Sequence, residues 1–210
     1  MQWAYQRLAI YPLPIDFSCS LFFIRLPVPM LPYQDAQKIL REAEQIFPAE
    51  VVVETVRRMA ADITATLAHR YPLVLSIMGG AVVFTGQLLP LLQFPLNFDY
   101  LHVSRYAEKM HGGRIDWKAS PGENVQDRVV LVVDDILDQG ITLAAIREWV
   151  MSQGAAAFYS AVFAEKDIPG PKPISADFVG LVVPNRYVFG FGMDIYGAWR
   201  NLPAIYALKE

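Results

Sequence analysis

The sequence predicts an α/β fold, a mostly parallel sheet flanked by helices, and three observations carry that prediction. Residues 129–133 read Val-Val-Leu-Val-Val, an unbroken apolar run rich in β-branched side chains that suits a parallel strand covered on both faces. Other stretches repeat their apolar residues at helical spacing. Strand-like and helix-like segments alternate along the chain, which is the order of βα units. The composition agrees: of 210 residues, 54% are hydrophobic and 19% charged, enough to build a core and too apolar for a disordered chain.

Taken in order, residues 1–29 share no periodicity with the rest of the chain. Their most apolar part is cut by Arg25, Pro27 and Pro29 and is too short for a spanning helix of about 20 residues. It also lacks the graded pattern of a signal peptide. We read 1–29 as a start-site extension ahead of Met30 or a disordered tail, and 30–210 as a single domain with no membrane association, in the cytoplasm. Ala36, Ile39, Leu40, Ala43 and Phe47 predict a helix over 34–47, stopped by Pro48. Val53, Val56, Ala60, Ile63 and Leu67 form the stripe of a second helix over 49–69, broken at Tyr71-Pro72. Residues 73–78 read as a buried strand feeding the Gly79-Gly80 turn. A helix over 81–92 and a strand over 98–103 come next. Residues 107–126 are polar, with Gly112, Gly113, Pro121 and Gly122, and predict a long functional loop. The strand at 128–133 leads into a helix over 142–153. Beyond it lie strands at 156–164 and 177–183, then an aromatic, Gly-rich tail with a short strand at 204–208.

Charge and rare residues narrow the function. The 18 basic and 21 acidic residues leave a net charge of −3, which argues against a nucleic-acid binder. Cys19 is the one cysteine, so there is no internal disulfide framework and no Cys-rich zinc site. His69, His102 and His111 are too scattered for a His-rich metal site, and all three read as structural or surface groups.

The informative stretch is 129–143, VVLVVDDILDQGITL. A strand ends in Asp134 and Asp135; Asp138, Gln139, Gly140, Ile141 and Thr142 then open a helix. Ligands of open α/β sheets bind beyond the carboxyl ends of the strands. A turn with free backbone N–H groups, a hydroxyl and a helix N-terminus makes a phosphate cradle. Gly140 allows close backbone approach. The paired acids can accept hydrogen bonds from sugar hydroxyls or help hold a metal. Acids also favour helix N-termini, but three within five residues exceed what one cap requires. The site suits a phosphorylated ribose.

This stretch resembles the signature of type I phosphoribosyltransferases, and further blocks narrow the resemblance to hypoxanthine-guanine phosphoribosyltransferases. Residues 184–194, PNRYVFGFGMD, with Arg200-Asn-Leu-Pro, are similar to that family's purine-site segment. Residues 77–81, IMGGA, are similar to its pyrophosphate loop. Ser104-Arg105-Tyr106 is similar to the start of its mobile loop, and Glu165-Lys166 stands where the family has a base-recognising lysine. The resemblance covers about residues 34–208, with the blocks in family order.

The resemblance implies a type I phosphoribosyltransferase fold with a small hood from the chain termini. It also implies a homodimer or homotetramer. It implies phosphoribosyl pyrophosphate, hypoxanthine and guanine as substrates, and magnesium as cofactor. Asp134 and Asp135 would hold the ribose hydroxyls and stand near the metal. Residues 138–142 would cradle the 5′-phosphate, and Asp138 would also be the general base. Met78, Gly79, Ser104, Arg105, Tyr106 and Arg200 would meet the pyrophosphate, with a cis peptide expected at Met78-Gly79. Lys166 would donate to the 6-oxo group, Tyr187 would stack on the purine, Val188 would read its edge through the backbone, and Asp194 would face the magnesium ion and purine. Taken singly, Lys166 and Arg200 read as surface cations, Tyr187 as core, and Asp194 as a turn acid. Three departures stand out: Met78 replaces a usual lysine or arginine, Arg105 a usual serine, and Gln139 a usual serine or threonine. A xanthine-preferring enzyme is one alternative. A non-catalytic regulator that senses phosphoribosyl pyrophosphate is the other.

Overall fold

A computed structural model describes residues 31–105 and 115–209. The elements in order are α1 (Tyr33–Glu42), β1 (Glu44–Phe47), α2 (Ala49–Leu67), β2 (Leu73–Met78), α3 (Val82–Leu88), β3 (Asn97–Arg105), β4 (Ile115–Ala119), β5 (Val129–Leu137), α4 (Ile141–Ser152), β6 (Ala157–Lys166), β7 (Phe178–Val183), β8 (Val188–Phe189) and β9 (Ile205–Ala207). A six-stranded sheet runs β4-β3-β2-β5-β6-β7, and a three-stranded sheet runs β1-β9-β8. In the large sheet β4 alone is antiparallel to its neighbour. The predicted mostly parallel α/β fold is therefore present. The small antiparallel sheet joins segments from both ends of the described chain.

β2 and β5 occupy the middle of the sheet, which explains their unbroken apolar sequences. Val130, Leu131, Val132 and Val133 are all fully buried, with alternate residues entering opposite cores. On one face the core contains α2 and α3 residues such as Met59, Ile63 and Phe84. On the other it contains Leu143, Ile146 and Val150 of α4.

Four expectations need correction. The helix expected over 34–47 stops at Glu42, and Glu44–Phe47 instead pairs with β9. Phe47 precedes Pro48, which disfavours helical backbone there, and the β9 edge supplies partners. The α2 stripe holds at Val56, Ala60, Ile63 and Leu67, buried together with Val52 and Met59, but Val53 is exposed. The loop expected over 107–126 contains β4, which pairs with β3 and sets Trp117 against Trp149 at 4.8 Å. β5 runs past Val133 to Leu137, because its ladder with β6 continues to Leu137–Glu165. β8 was not anticipated. The expectations for residues 1–29, Cys19, Tyr106 and His111 lie outside the described residues. Among those described, no helix is long and apolar enough to cross a membrane.

Candidate active site

The carboxyl ends of β5 and β6 open into a cavity of about 220 Å³, lined by Asp135, Ile136, Asp138, Lys166, Tyr187, Val188, Met193 and Asp194. Six of these are candidates from the sequence, drawn from three separate segments. Parallel pairing explains the convergence. The ladder sets Leu137 beside Glu165, so Asp138, just past the end of β5, comes beside Lys166, the last residue of β6, which still pairs with Val183 of β7. Lys166 Nζ lies 3.4 Å from Asp138 Oδ1; the lysine side chain is 16% exposed and the aspartate 49%. The cation therefore sits inside the cavity and the acid at its mouth.

The hood forms the opposite wall. β8 carries Val188, and the Tyr187 ring stacks against Tyr196 with centroids 6.1 Å apart and planes at 27°. Burial raises the Tyr187 phenol above its ordinary value of 10.0, and the nearby Asp194 charge pushes the same way. Asp194 is engaged through both oxygens: Oδ1 meets Arg200 Nη2 at 2.5 Å, and Oδ2 accepts the Gly197 N–H at 2.7 Å. Arg200 Nη1 also donates to the Gly192 carbonyl at 2.6 Å. Arg200 thus clasps the acid and the turn before it.

Asp134 and Asp135 sit on the last part of β5. Each accepts the backbone N–H of its successor at 2.9 Å. Burial raises the Asp134 carboxyl well above 3.8, and the Asp135 charge adds to the effect. Asp135 is raised too, chiefly by burial, with Arg200 among the groups opposing the rise. Among the described residues, no group of three or more His, Cys, Asp or Glu side chains gathers around one point.

The remaining candidates are not among the residues that line this cavity. Met78-Gly79 closes β2, and its peptide is cis, as expected. Gly140 adopts φ +78 and starts α4, whose first turn comprises Ile141 and Thr142. Gln139 is exposed on the same turn. Ser104 and Arg105 end β3, and Tyr106 is not among the described residues.

Three participants escaped the sequence reading. A Cβ on Gly80 would fall on the Asp135 carboxylate, and one on Gly192 would fall on the Gly80 carbonyl. These two glycines let the β2 turn, the acid pair and the hood touch directly. The Gly-Gly pair at 79–80 and Gly-x-Gly at 190–192 were visible, but their mutual contact was not. The third is Lys172, a mostly buried cation behind Lys166, which the sequence did not flag.

The chain is similar to known proteins over most of its length. Residues 42–196 match the phosphoribosyl transferase domain family. The hypoxanthine-guanine-xanthine phosphoribosyltransferase of Tritrichomonas foetus is 32% identical over 167 residues, spanning 79% of this chain and 91% of that protein. The hypoxanthine-guanine phosphoribosyltransferase of Streptococcus pneumoniae is 30% identical over 181 residues, spanning 84% and 95%. A solved hypoxanthine-guanine-xanthine phosphoribosyltransferase superposes with a TM-score of 0.73 at 30% identity, over 81% of this chain and 99% of its own.

Proposed function

The chain belongs to the phosphoribosyltransferase family, and on that premise we propose that it salvages purines. It transfers the 5-phosphoribosyl group of phosphoribosyl pyrophosphate to hypoxanthine or guanine, giving IMP or GMP and pyrophosphate. The observation that carries this reading is the pairing of Asp138 and Lys166 at adjacent strand ends, facing Tyr187, Val188 and Asp194 across one cavity.

In the reaction, a purine ring nitrogen bonds to the anomeric carbon as the bond from that carbon to pyrophosphate breaks. Positive charge grows on the sugar and negative charge on the leaving group. Asp138 accepts the proton that the purine loses, which makes the ring a better nucleophile. Lys166 exchanges its ion pair for a hydrogen bond to the 6-oxo group. A 6-amino group would set donor against donor, so the lysine selects against adenine. Tyr187 stacks on the ring, and the Val188 backbone reads its edge. Residues 138–142 bind the 5′-phosphate through the start of α4. Asp134 and Asp135 accept from the ribose hydroxyls, while Arg200 and the Met78-Gly79 turn bind pyrophosphate.

Magnesium fits the donor set, because Asp135 and Asp194 line one cavity and this ion takes one or two carboxylates together with substrate phosphates. Once bound, it would offset charge on the leaving pyrophosphate. The same reading gives a cytoplasmic homodimer or homotetramer, with 30–210 as its single domain. Sedimentation of the purified chain tests the assembly.

A nucleotide-formation assay tests the activity, with hypoxanthine, guanine, xanthine and adenine run in parallel, with and without magnesium. Metal-dependent turnover of hypoxanthine or guanine supports the reading. Preference for xanthine would favour the second reading, which the identity to the Tritrichomonas foetus protein makes specific. A folded protein that binds phosphoribosyl pyrophosphate yet acts on none of the four would be a regulator instead.

A further inference from the structure

Lys172 lies beyond β6 in a loop that doubles back over the sheet end, and its side chain is only 11% exposed. Its ammonium group donates to the Lys166 carbonyl at 2.7 Å, to Glu165 Oε1 at 2.9 Å and to the Leu137 carbonyl at 3.3 Å. A lysine has three N–H donors and no acceptor, so these three contacts use all of them. Two of the partners are the points where the sheet stops. Leu137–Glu165 is the last pair of the β5–β6 ladder, and Lys166–Val183 is the last pair of β6–β7. Beyond them the strands part to form the cavity.

We infer that Lys172 is a positioning residue that ties together the strand ends carrying Asp138 and Lys166, the proposed base and the proposed purine-reading cation. The inference rests on the proposed transferase reading for its kinetic consequences, though not for its geometry. One cation bridges the carbonyl immediately before Asp138 and the carbonyl of Lys166 itself. It therefore fixes the separation of two side chains whose own contact is a single 3.4 Å ion pair. Glu165 supplies the negative charge that holds the ammonium group in place. The same segment leans on the proposed phosphate turn: a Cβ on Gly140 would meet Pro173 Cδ at 3.3 Å and Lys172 Cβ at 3.5 Å. That turn has an independent anchor in α4, where the Ala144 N–H bonds the Gly140 carbonyl at 2.9 Å. Loosening Lys172 should therefore disturb the purine side more than the phosphate side.

The test compares Lys172→Met, which keeps the side chain's bulk and removes its donors, with Lys172→Arg, which restores donors. Arg58→Met serves as the structural control. Arg58 likewise donates to strand carbonyls, Gly180 at 2.6 Å and Val179 at 3.2 Å, but outside the cavity. In Lys172→Met, kcat/KM for the purine is expected to fall on the order of 10- to 100-fold, the effect of displacing reactive groups by about 1 Å. The KM for phosphoribosyl pyrophosphate should move far less, and Lys172→Arg should recover part of the loss. A crystal structure of Lys172→Met should place Asp138 and Lys166 more than about 0.5 Å from their present spacing, the tolerance of a preorganised site. Unmoved strand ends, or constants for both substrates that shift together with Tm as in Arg58→Met, would overturn the inference. If Lys172→Met does not fold, Lys172→Gln carries the test, since its shorter, uncharged amide cannot replace an ammonium group that reaches three acceptors. A several-fold fall in purine kcat/KM, with the KM for phosphoribosyl pyrophosphate little changed, supports positioning, and an unchanged purine kcat/KM defeats it. An inactive wild-type chain would instead defeat the transferase reading, leaving the crystal structure to decide the geometry.

Discussion

Lys166 Nζ and Asp138 Oδ1 face each other at 3.4 Å across the junction of β5 and β6. The two groups that the proposed reaction needs for separate tasks neutralise one another in the free protein. Asp138→Asn is expected to lower kcat by about 10²- to 10⁴-fold, the range for losing a positioned base. Purine KM should change little. Lys166→Ala should instead raise KM for hypoxanthine and guanine and narrow the gap between 6-oxo and 6-amino purines. Steady-state kinetics on all four bases separate the two roles. An Asp138→Asn variant with normal turnover would mean that another group takes the proton.

The acid pair on β5 predicts a pH dependence. Asp134 is held well above its ordinary value of 3.8 by burial and by Asp135, and Asp135 is raised as well. The folded protein therefore keeps protons that the unfolded chain has already released. The stability these groups contribute is full below about pH 4 and falls as pH rises through the raised folded values. In metal-free buffer, Asp134→Asn is expected to raise Tm near pH 8 above that of the parent. The gain should shrink toward pH 4. Thermal melts across that range check the sign, and a variant less stable at high pH would contradict it.

Arg200 joins Asp194 at 2.5 Å and the Gly192 carbonyl at 2.6 Å, so it holds the hood turn in shape as well as offering charge to the cavity rim. Arg200→Gln keeps a donor but removes the charge. It is expected to raise the KM for phosphoribosyl pyrophosphate on the order of tenfold, the result of losing a charge-assisted contact of about 1.5 kcal/mol. The purine KM should rise less. Equal increases for both substrates would show that the hood, rather than the pyrophosphate contact, depends on this arginine.

Legibility in the sequence was a matter of range. The β5 run, the turn at 138–142 and the residues at 187–194 are each contiguous, and local chemistry made them readable. Parallel pairing then brought Asp138 beside Lys166, as two adjacent strands ending in functional residues suggest. Contacts that join distant segments could not be read in this way. Glu44–Phe47 looks helical until β9 supplies its partner. β4 lies in a polar stretch whose strand character depends on β3 and on the Trp117–Trp149 contact. Lys172 carries no signal in the sequence because only the folded chain supplies Leu137 and Lys166 as acceptors.

The two glycine contacts give the sharpest prediction about how the site is assembled. Gly192 has φ +100, and a Cβ there would overlap the Gly80 carbonyl, an atom of the backbone that no rotamer change can move aside. Gly80 in turn leaves no room for a side chain beside the Asp135 carboxylate. The hood, the β2 turn and the acid pair are thus stacked through two missing side chains. Gly192→Ala adds a disfavoured backbone conformation to an overpacked contact, and it should cost about 2–4 kcal/mol. Any forced movement of the Gly80 carbonyl is passed to Asp135, so kcat/KM should fall together with Tm. Gly86→Ala provides the opposite case. Gly86 lies within α3 with nothing within 4 Å of the added methyl, so alanine should stabilise the helix by about 0.5–1 kcal/mol and leave turnover unchanged. Chemical denaturation and steady-state assays on both variants decide the matter. If Gly192→Ala were as stable and active as the parent, the hood would not be seated on the β2 turn.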